Sequence, residues 1–239
     1  YMAGKMVVVR SLVAGLELIP IAPCGHPLSG MKESPTFAAM IPMQVYNSLQ
    51  VPEERTVLEG IKHLIIGGGA IDDGLANELK HFPNNVWSTY GMTETLSHIA
   101  LRRLNGNNAS DWYTPFDQVH IRLSEEGTLV IHAPEVCAEE LTTNDIAEIN
   151  EKGEFRILGR KDNVINSGGI KIQIEQVEAL LKPHLSTPFL ITSTSDAKFG
   201  EAVVLLYEKG NEEELQALCK AALPPYWMPK RFVQVKAIP

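Results

Sequence analysis

The sequence predicts an α/β protein whose later part becomes an antiparallel β subdomain and then a small α+β domain. Three observations predict this. A strand, a glycine turn, a helix and a second strand follow one another between Lys62 and Ser88. Between Val119 and Ile157, short strands alternate with turn pairs such as Glu126-Gly127 and Lys152-Gly153. Beyond Gly159-Arg160-Lys161-Asp162, strand patterns alternate with two helix patterns. The chain has 239 residues, 44% hydrophobic and 21% charged, enough for a real core and two domains. The division predicted is 1–161 and 162–239.

Taken in order, Gly4 to Leu16 reads as a helix with apolar residues on more than one face, and Leu18 to Ala22 as a strand. Pro23, Gly25 and Pro27 end that strand. Phe37 to Leu49 reads as mostly helical, with Pro42 as a break or a new first turn. A short helix begins at Pro52. Lys62 to Ile66 is an apolar strand, and Asp72 caps a helix ending near Leu79. Val86 to Ser88 is the next strand. In the last domain, 164–172 reads as a hairpin, 173–181 as a helix, 188–195 and 202–209 as strands, 212–223 as a helix and 231–238 as a strand. Ile174, Val177, Leu180 and Leu181 fall on one helical face, which predicts packing on a sheet.

Charge and composition exclude several classes. With 29 acidic and 21 basic residues the net charge is −8, which argues against a nucleic-acid binder held by many phosphate contacts. The three cysteines, Cys24, Cys137 and Cys219, are widely spaced and form no disulfide framework or CxxC pair. The apolar stretch from Met6 to Pro23 is interrupted by Arg10 and Glu17, too broken for a membrane span or a signal peptide. A cytoplasmic protein with no membrane partner is the expectation. Both ends read as cut rather than natural. The seven histidines show neither HxxxH nor HExxH spacing, and no Ser-His-Asp set is legible.

Four motifs could carry chemistry. Gly67-Gly68-Gly69-Ala70 leaves backbone open to a flat ligand; it is neither a GxGxxG nor a Walker A loop, and a tight strand-to-helix turn explains it equally well. Asp72 and Asp73 behind it would repel a phosphate, so a neutral purine is the better fit. Ser88 to Thr95 follows a strand end, where ligands of open sheets gather. There Tyr90 offers a stacking face, Thr93 a hydroxyl for phosphate, and Glu94 a carboxylate for magnesium. The competing reading is a polar helix N-terminus capped by Thr93 or Thr95. In 142–145, Asp145 could accept two hydrogen bonds from a ribose diol, or could belong to an Asn-Asp turn. In 159–169, Arg160 could pair with phosphate or ribose oxygens, and Gly168-Gly169 could form a hairpin turn or admit a ligand.

In this order the four motifs resemble the adenylate-forming superfamily of acyl-CoA synthetases, peptide-synthetase adenylation domains and luciferases, over nearly the whole chain. Residues 1–6, Gly25 to Leu28, 37–49 and Trp112 to Phe116 are similar to its branch of o-succinylbenzoate–CoA ligases. The resemblance implies a partial large N-terminal adenylate-forming domain followed by the small mobile one. It implies ATP, coenzyme A and Mg2+ as cofactors and a small-molecule acid as substrate; whether the chain forms a homo-oligomer stays open. It further implies catalysis by Thr93, Glu94 and Arg160, and magnesium on Glu94. Nucleotide would lie on Gly68, Gly69, Ala70, Tyr90, Gly91, Met92, Thr93, Asp145 and Arg160. The acid would border Tyr1, Ala3 and Gly4. Asp162 would be the hinge, and Gly168 and Gly169 would line the coenzyme A path.

The sequence also departs from the family pattern. The phosphate loop and the C-terminal adenylation lysine of the family lie outside these residues. Asn144 stands at a usual glycine, and Tyr1 where many relatives have histidine. A ligase for another aryl or fatty acid, a carrier-loading enzyme, and a noncatalytic nucleotide-binding module are the alternatives.

Overall fold

The computed structural model describes residues 2–238. They form two compact units. The first holds residues up to Arg122 with Val130–Thr142 and Ile149–Arg156; the second holds Leu123–Leu129, Thr143–Glu148 and the chain from Ile157 onward.

The first unit opens with α1 (Met2–Ala14) and contains strand β1 (Phe37–Met40), helices α2 (Pro42–Leu49) and α3 (Pro52–Gly60), strand β2 (His63–Ile66), helix α4 (Asp73–Leu79), and strands β3 (Asn85–Gly91), β4 (His98–Arg103) and β5 (Thr114–Pro115). The strands form one sheet in sequence order. β1, β2 and β3 are parallel, while β4 and β5 run antiparallel to their neighbours. Parallel strands need crossovers, which α2–α3 and α4 supply. Val45, Leu58, Ile61, Leu64, Ile66, Leu79 and Val86 form the core between helices and sheet. Helix α1, which carries Lys5 and Arg10 among its apolar residues, leaves Leu12 and Val13 exposed.

A second sheet is a meander of β6 (His120–Leu123), β7 (Thr128–His132), β8 (Leu141–Ile149) and β9 (Phe155–Arg160). Its tight turns fall at the two glycine pairs foreseen, with Ser124 N–H donating to Thr128 O and Asn150 N–H to Glu154 O.

The second unit continues through a 3-10 turn, Lys161–Asn163, into β10 (Val164–Ser167), β11 (Ile170–Gln173), α5 (Ile174–Leu181), β12 (Phe189–Asp196), β13 (Gly200–Tyr207), α6 (Glu212–Ala222) and β14 (Arg231–Gln234). These strands form a sheet in the order β11-β10-β13-β12, with β14 parallel to β13. Ile165, Ile172, Val177, Leu181, Ile191, Leu205, Leu215 and Cys219 make its core. Burial pushes the Cys219 thiol up to about 11, so it stays a neutral packing group.

Three local expectations are corrected. Leu18–Ala22 is not a strand: Leu18, Ile19 and Ile21 are exposed, and Pro20 lacks the N–H a ladder needs. Phe37–Met40 is a strand rather than helix. Pro42 disfavours helical backbone at Ile41, which is extended at φ −94°, ψ 158°, so the helix starts at the proline. Leu180 is exposed, on the flank of the α5 stripe rather than in it.

Leu64 is fully buried at the centre of the parallel sheet. Leu64→Ala is expected to cost about 2–5 kcal/mol through lost burial and a residual cavity; urea unfolding followed by circular dichroism checks this.

Candidate nucleotide site

The site residues of the first unit are set by the ends of β2 and β3. Met40, Ile66 and Ser88 are level across the parallel strands. The chain leaving each strand therefore emerges at one end of the sheet. Gly67 follows β2 with its N–H bonded to Met40 O at 3.1 Å. A Cβ on Gly67 would lie 2.2 Å from Thr89 Oγ1, so the first glycine is needed for packing. Gly68 has φ +79° and sits beside Ile41, while Gly69 sits beside Pro42. Ala70 is exposed, and the Asp72 carboxylate caps α4 by accepting from Gly74 N at 2.8 Å and Leu75 N at 3.2 Å. An open backbone shelf results, with the Asp72 carboxylate behind it engaged in capping.

β3 runs on to Gly91 and then turns sharply. No helix follows, so the helix-cap alternative is excluded. Instead the Thr95 hydroxyl, almost fully buried, accepts from Met92 N–H at 3.0 Å and lies 2.7 Å from Ser97 O, to which it can donate. The return strand passes so close that a Cβ on Gly91 would lie 2.3 Å from Ser97 O and 2.6 Å from His98 Cα. Only glycine fits there. Leu96 adopts φ 60°, a left-handed conformation uncommon outside glycine. Thr93 and Glu94 are thereby held out to solvent on a compact turn.

Tyr90 is engaged on one side. Its ring packs edge-on against Phe155 at 5.0 Å and tilted against Tyr113 at 5.9 Å. Tyr113 in turn stacks on Phe155 and shares a 2.7 Å hydrogen bond with Ser88.

Sequence reasoning missed Arg10. From α1 its guanidinium donates to the Ser97 hydroxyl and lies 3.4 Å from His98 Nδ1. It therefore reaches the segment just after the Thr93–Glu94 turn. A helical cation interrupting an apolar run was the available signal. Arg10 also lines an apolar cavity of about 490 Å³ with Val7, Val13, Leu16 and Phe37. Of the acid-side candidates, Tyr1 lies outside the described residues, Ala3 is in α1 without a described side chain, and Gly4 is exposed in α1.

The other candidates belong to the second unit. Asp145 on β8 and Arg160 at the end of β9 form an ion pair at 3.4 Å. Arg160 also bonds Asp162 in the 3-10 turn at 3.0 Å. Gln173 donates to Arg160 O at 2.8 Å and fixes the arginine's backbone. Gly168 and Gly169 form the two-residue turn of the β10–β11 hairpin at φ +59° and +83°, conformations that suit a type I′ turn. Gly168 rests against Phe199, and Gly169 is open.

Among the described residues, no group of three His, Cys, Asp or Glu side chains could hold a metal by itself. Glu94, exposed and single, matches magnesium that takes one protein carboxylate and completes its shell from phosphates and water. No helix among those residues is long and apolar enough to cross a membrane.

No family model matches the chain. A solved AMP-forming acyl-CoA synthetase/AMP-acid ligase II-like protein from Dyadobacter fermentans is 32% identical, covers 99% of this chain and 70% of its own, and superposes with TM-score 0.62. The o-succinylbenzoate CoA synthetase of Bacillus subtilis, in complex with the acyl-adenylate intermediate OSB-AMP, has TM-score 0.78 at 20% identity, covering 100% of this chain and 56% of its own. A 2-succinylbenzoate–CoA ligase of Bacillus cereus is 25% identical over 85% of this chain and 49% of its own length. The chain spans about half the length of the curated relatives it matches. Fold and strand-end turns define part of an adenylate-forming enzyme. The chain belongs to the AMP-forming acyl-CoA synthetase family of that superfamily.

His98 supplies a test of the turn's packing. Burial, then the nearby Arg10 charge, lowers its pKa from the ordinary 6.5 to about 4. The folded form thus resists a proton that the unfolded chain accepts. Stability is expected to fall as pH drops from about 6.5 towards 4 and to be unaffected by His98 above that window. His98→Gln should flatten this limb in pH-dependent chemical denaturation; an unchanged limb would assign it elsewhere.

Proposed function

We propose that this chain is the nucleotide-handling part of an ATP-dependent acid–CoA ligase that works through an acyl-adenylate, with o-succinylbenzoate as the acid. The observation that carries the reading is the Thr93–Glu94 turn, held outward after β3 at the same end of the parallel sheet as the glycine shelf after β2. Within the second unit, taken by itself, the Asp145–Arg160 pair offers a carboxylate and a cation.

In the first half-reaction an oxygen of the substrate carboxylate attacks the α-phosphorus of ATP and diphosphate leaves. In the second, the coenzyme A thiolate attacks the acyl carbon and AMP leaves with the bond electrons. Both steps depend on positioning and on neutralising phosphate charge. The Gly68–Ala70 backbone and Tyr90 offer flat surfaces for adenine. The Thr93 hydroxyl can donate to a phosphate oxygen. Glu94 would hold magnesium, which when bound offsets phosphate charge. Asp145 can accept both ribose hydroxyls, and Arg160 can turn to the phosphate. Asp162 serves as the hinge of the small domain, and Gly168 and Gly169 lie on the coenzyme A path. A cytoplasmic place in menaquinone synthesis follows from that acid.

Asp145→Ala should weaken AMP binding to the chain roughly tenfold or more through loss of charged hydrogen bonds to ribose; equal affinity by calorimetry would remove Asp145 from the site. ATP–diphosphate exchange by the complete gene product over a panel of acids tests the substrate. Exchange stimulated by a fatty acid and not by o-succinylbenzoate would move the assignment to another ligase of the family.

A further inference from the structure

The linker after β9 carries a contact that a glycine at position 144 could not make. Asn144, next to Asp145 on β8, donates from Nδ2 to Asp162 Oδ2 at 3.2 Å. The same carboxylate oxygen accepts from Arg160 Nη2 at 3.0 Å. The other arm of that guanidinium, Nη1, reaches Asp145 Oδ1 at 3.4 Å. One arginine therefore spans two carboxylates, and the asparagine amide makes a second tie to one of them. Lys161 adds an ion pair to Glu126 at 2.6 Å. On its far side the turn is held by Asn163, which donates to Glu175 at 2.6 Å.

We propose that Asn144 is a positioning residue for Asp162, keeping the Lys161–Asn163 turn on β8 when nucleotide draws Arg160 away. The proposal rests on the nucleotide reading above. Ribose hydroxyls on Asp145 and phosphate near Arg160 compete for the groups that now pair with each other. Asp162 then loses its cation and keeps the Asn144 amide. The asparagine thus adds to the Lys161–Glu126 and Asn163–Glu175 ties in keeping the turn in place while nucleotide is bound. Glycine at 144 would leave the turn to those two ties alone when nucleotide arrives.

Amide hydrogen exchange on the chain, with and without AMP, tests this in wild type, Asn144→Gly, Asp162→Ala and the double variant. Without AMP, Asn144→Gly should speed exchange across residues 160–164 about twofold, because Arg160 still holds Asp162. With AMP the difference should grow to about fivefold, the Asn144 amide having become the remaining side-chain tie to Asp162 among those described. Asp162→Ala should erase the effect of the glycine. A nucleotide-dependent gap is a readout that simple local destabilisation would not produce. Equal exchange in wild type and Asn144→Gly with AMP bound overturns the proposal, as does a glycine effect that survives Asp162→Ala. Failure of AMP to protect 143–147 in wild type overturns the nucleotide reading instead, and the comparison without AMP then decides the Asn144–Asp162 tie on its own.

Discussion

The level register of three parallel strands is the constraint from which the rest of the first unit follows. Met40, Ile66 and Ser88 are side by side, so β1 and β2 end level while β3 runs on to Gly91 at the same end of the sheet. Parallel hydrogen bonding forces this, because every strand must be re-entered from the same end by a helical crossover. The glycine shelf packs directly on its neighbours as a result: Gly67 fits against Thr89, and Gly68 and Gly69 against Ile41 and Pro42. A strand order with β2 at an edge, or a register slipped by one, would separate these loops.

β4 adds a second constraint of opposite sense. It returns antiparallel along β3 after a turn of a few residues, with a register shift at Tyr90 and Gly91. Such irregularities re-aim side chains. Here the buried Thr95 hydroxyl, the absent Cβ of Gly91 and the left-handed Leu96 compress the backbone, and Thr93 and Glu94 are pushed out. The Tyr90 ring is held from behind by Phe155 and Tyr113, which limits its motion and leaves its orientation set before any ligand arrives.

Much of this was legible in the sequence, because the residues involved have few conformational options. Asp72 reads as a cap and is one; the glycines after Lys152 and Glu126 mark hairpins and form them. Gly168-Gly169 reads as a turn and adopts two positive φ values. The failures came where one residue shifts the balance. Phe37–Met40 is apolar enough for either regular structure, and its choice of strand depends on a partner, β2, far along the chain. Leu18–Ala22 has strand residues without a strand partner. Arg10 stood out only as a cation in an apolar run, because its neighbours, Ser97 and His98, are about ninety residues away and only folding brings them near. Likewise the Asn144–Asp162 bond joins two motifs that each read as a local turn.

On the proposed nucleotide reading, Arg160 gives an acidic chain a local place for an anion. With a net charge of −8, long-range attraction for phosphate is unavailable, and any binding must be local. Arg160 pairs with Asp145 and Asp162 and is itself half exposed to water. Exposed ion pairs of this kind are worth little, on the order of 0–1 kcal/mol, so exchanging one carboxylate for a phosphate costs little. The arginine is nevertheless kept in place, because Gln173 fixes its carbonyl and Gln173 is buried against Gly159, where a Cβ would meet the glutamine amide at 2.3 Å. A firmly held backbone with weakly held charges is the arrangement that lets one cation change partners without moving the strand that carries it.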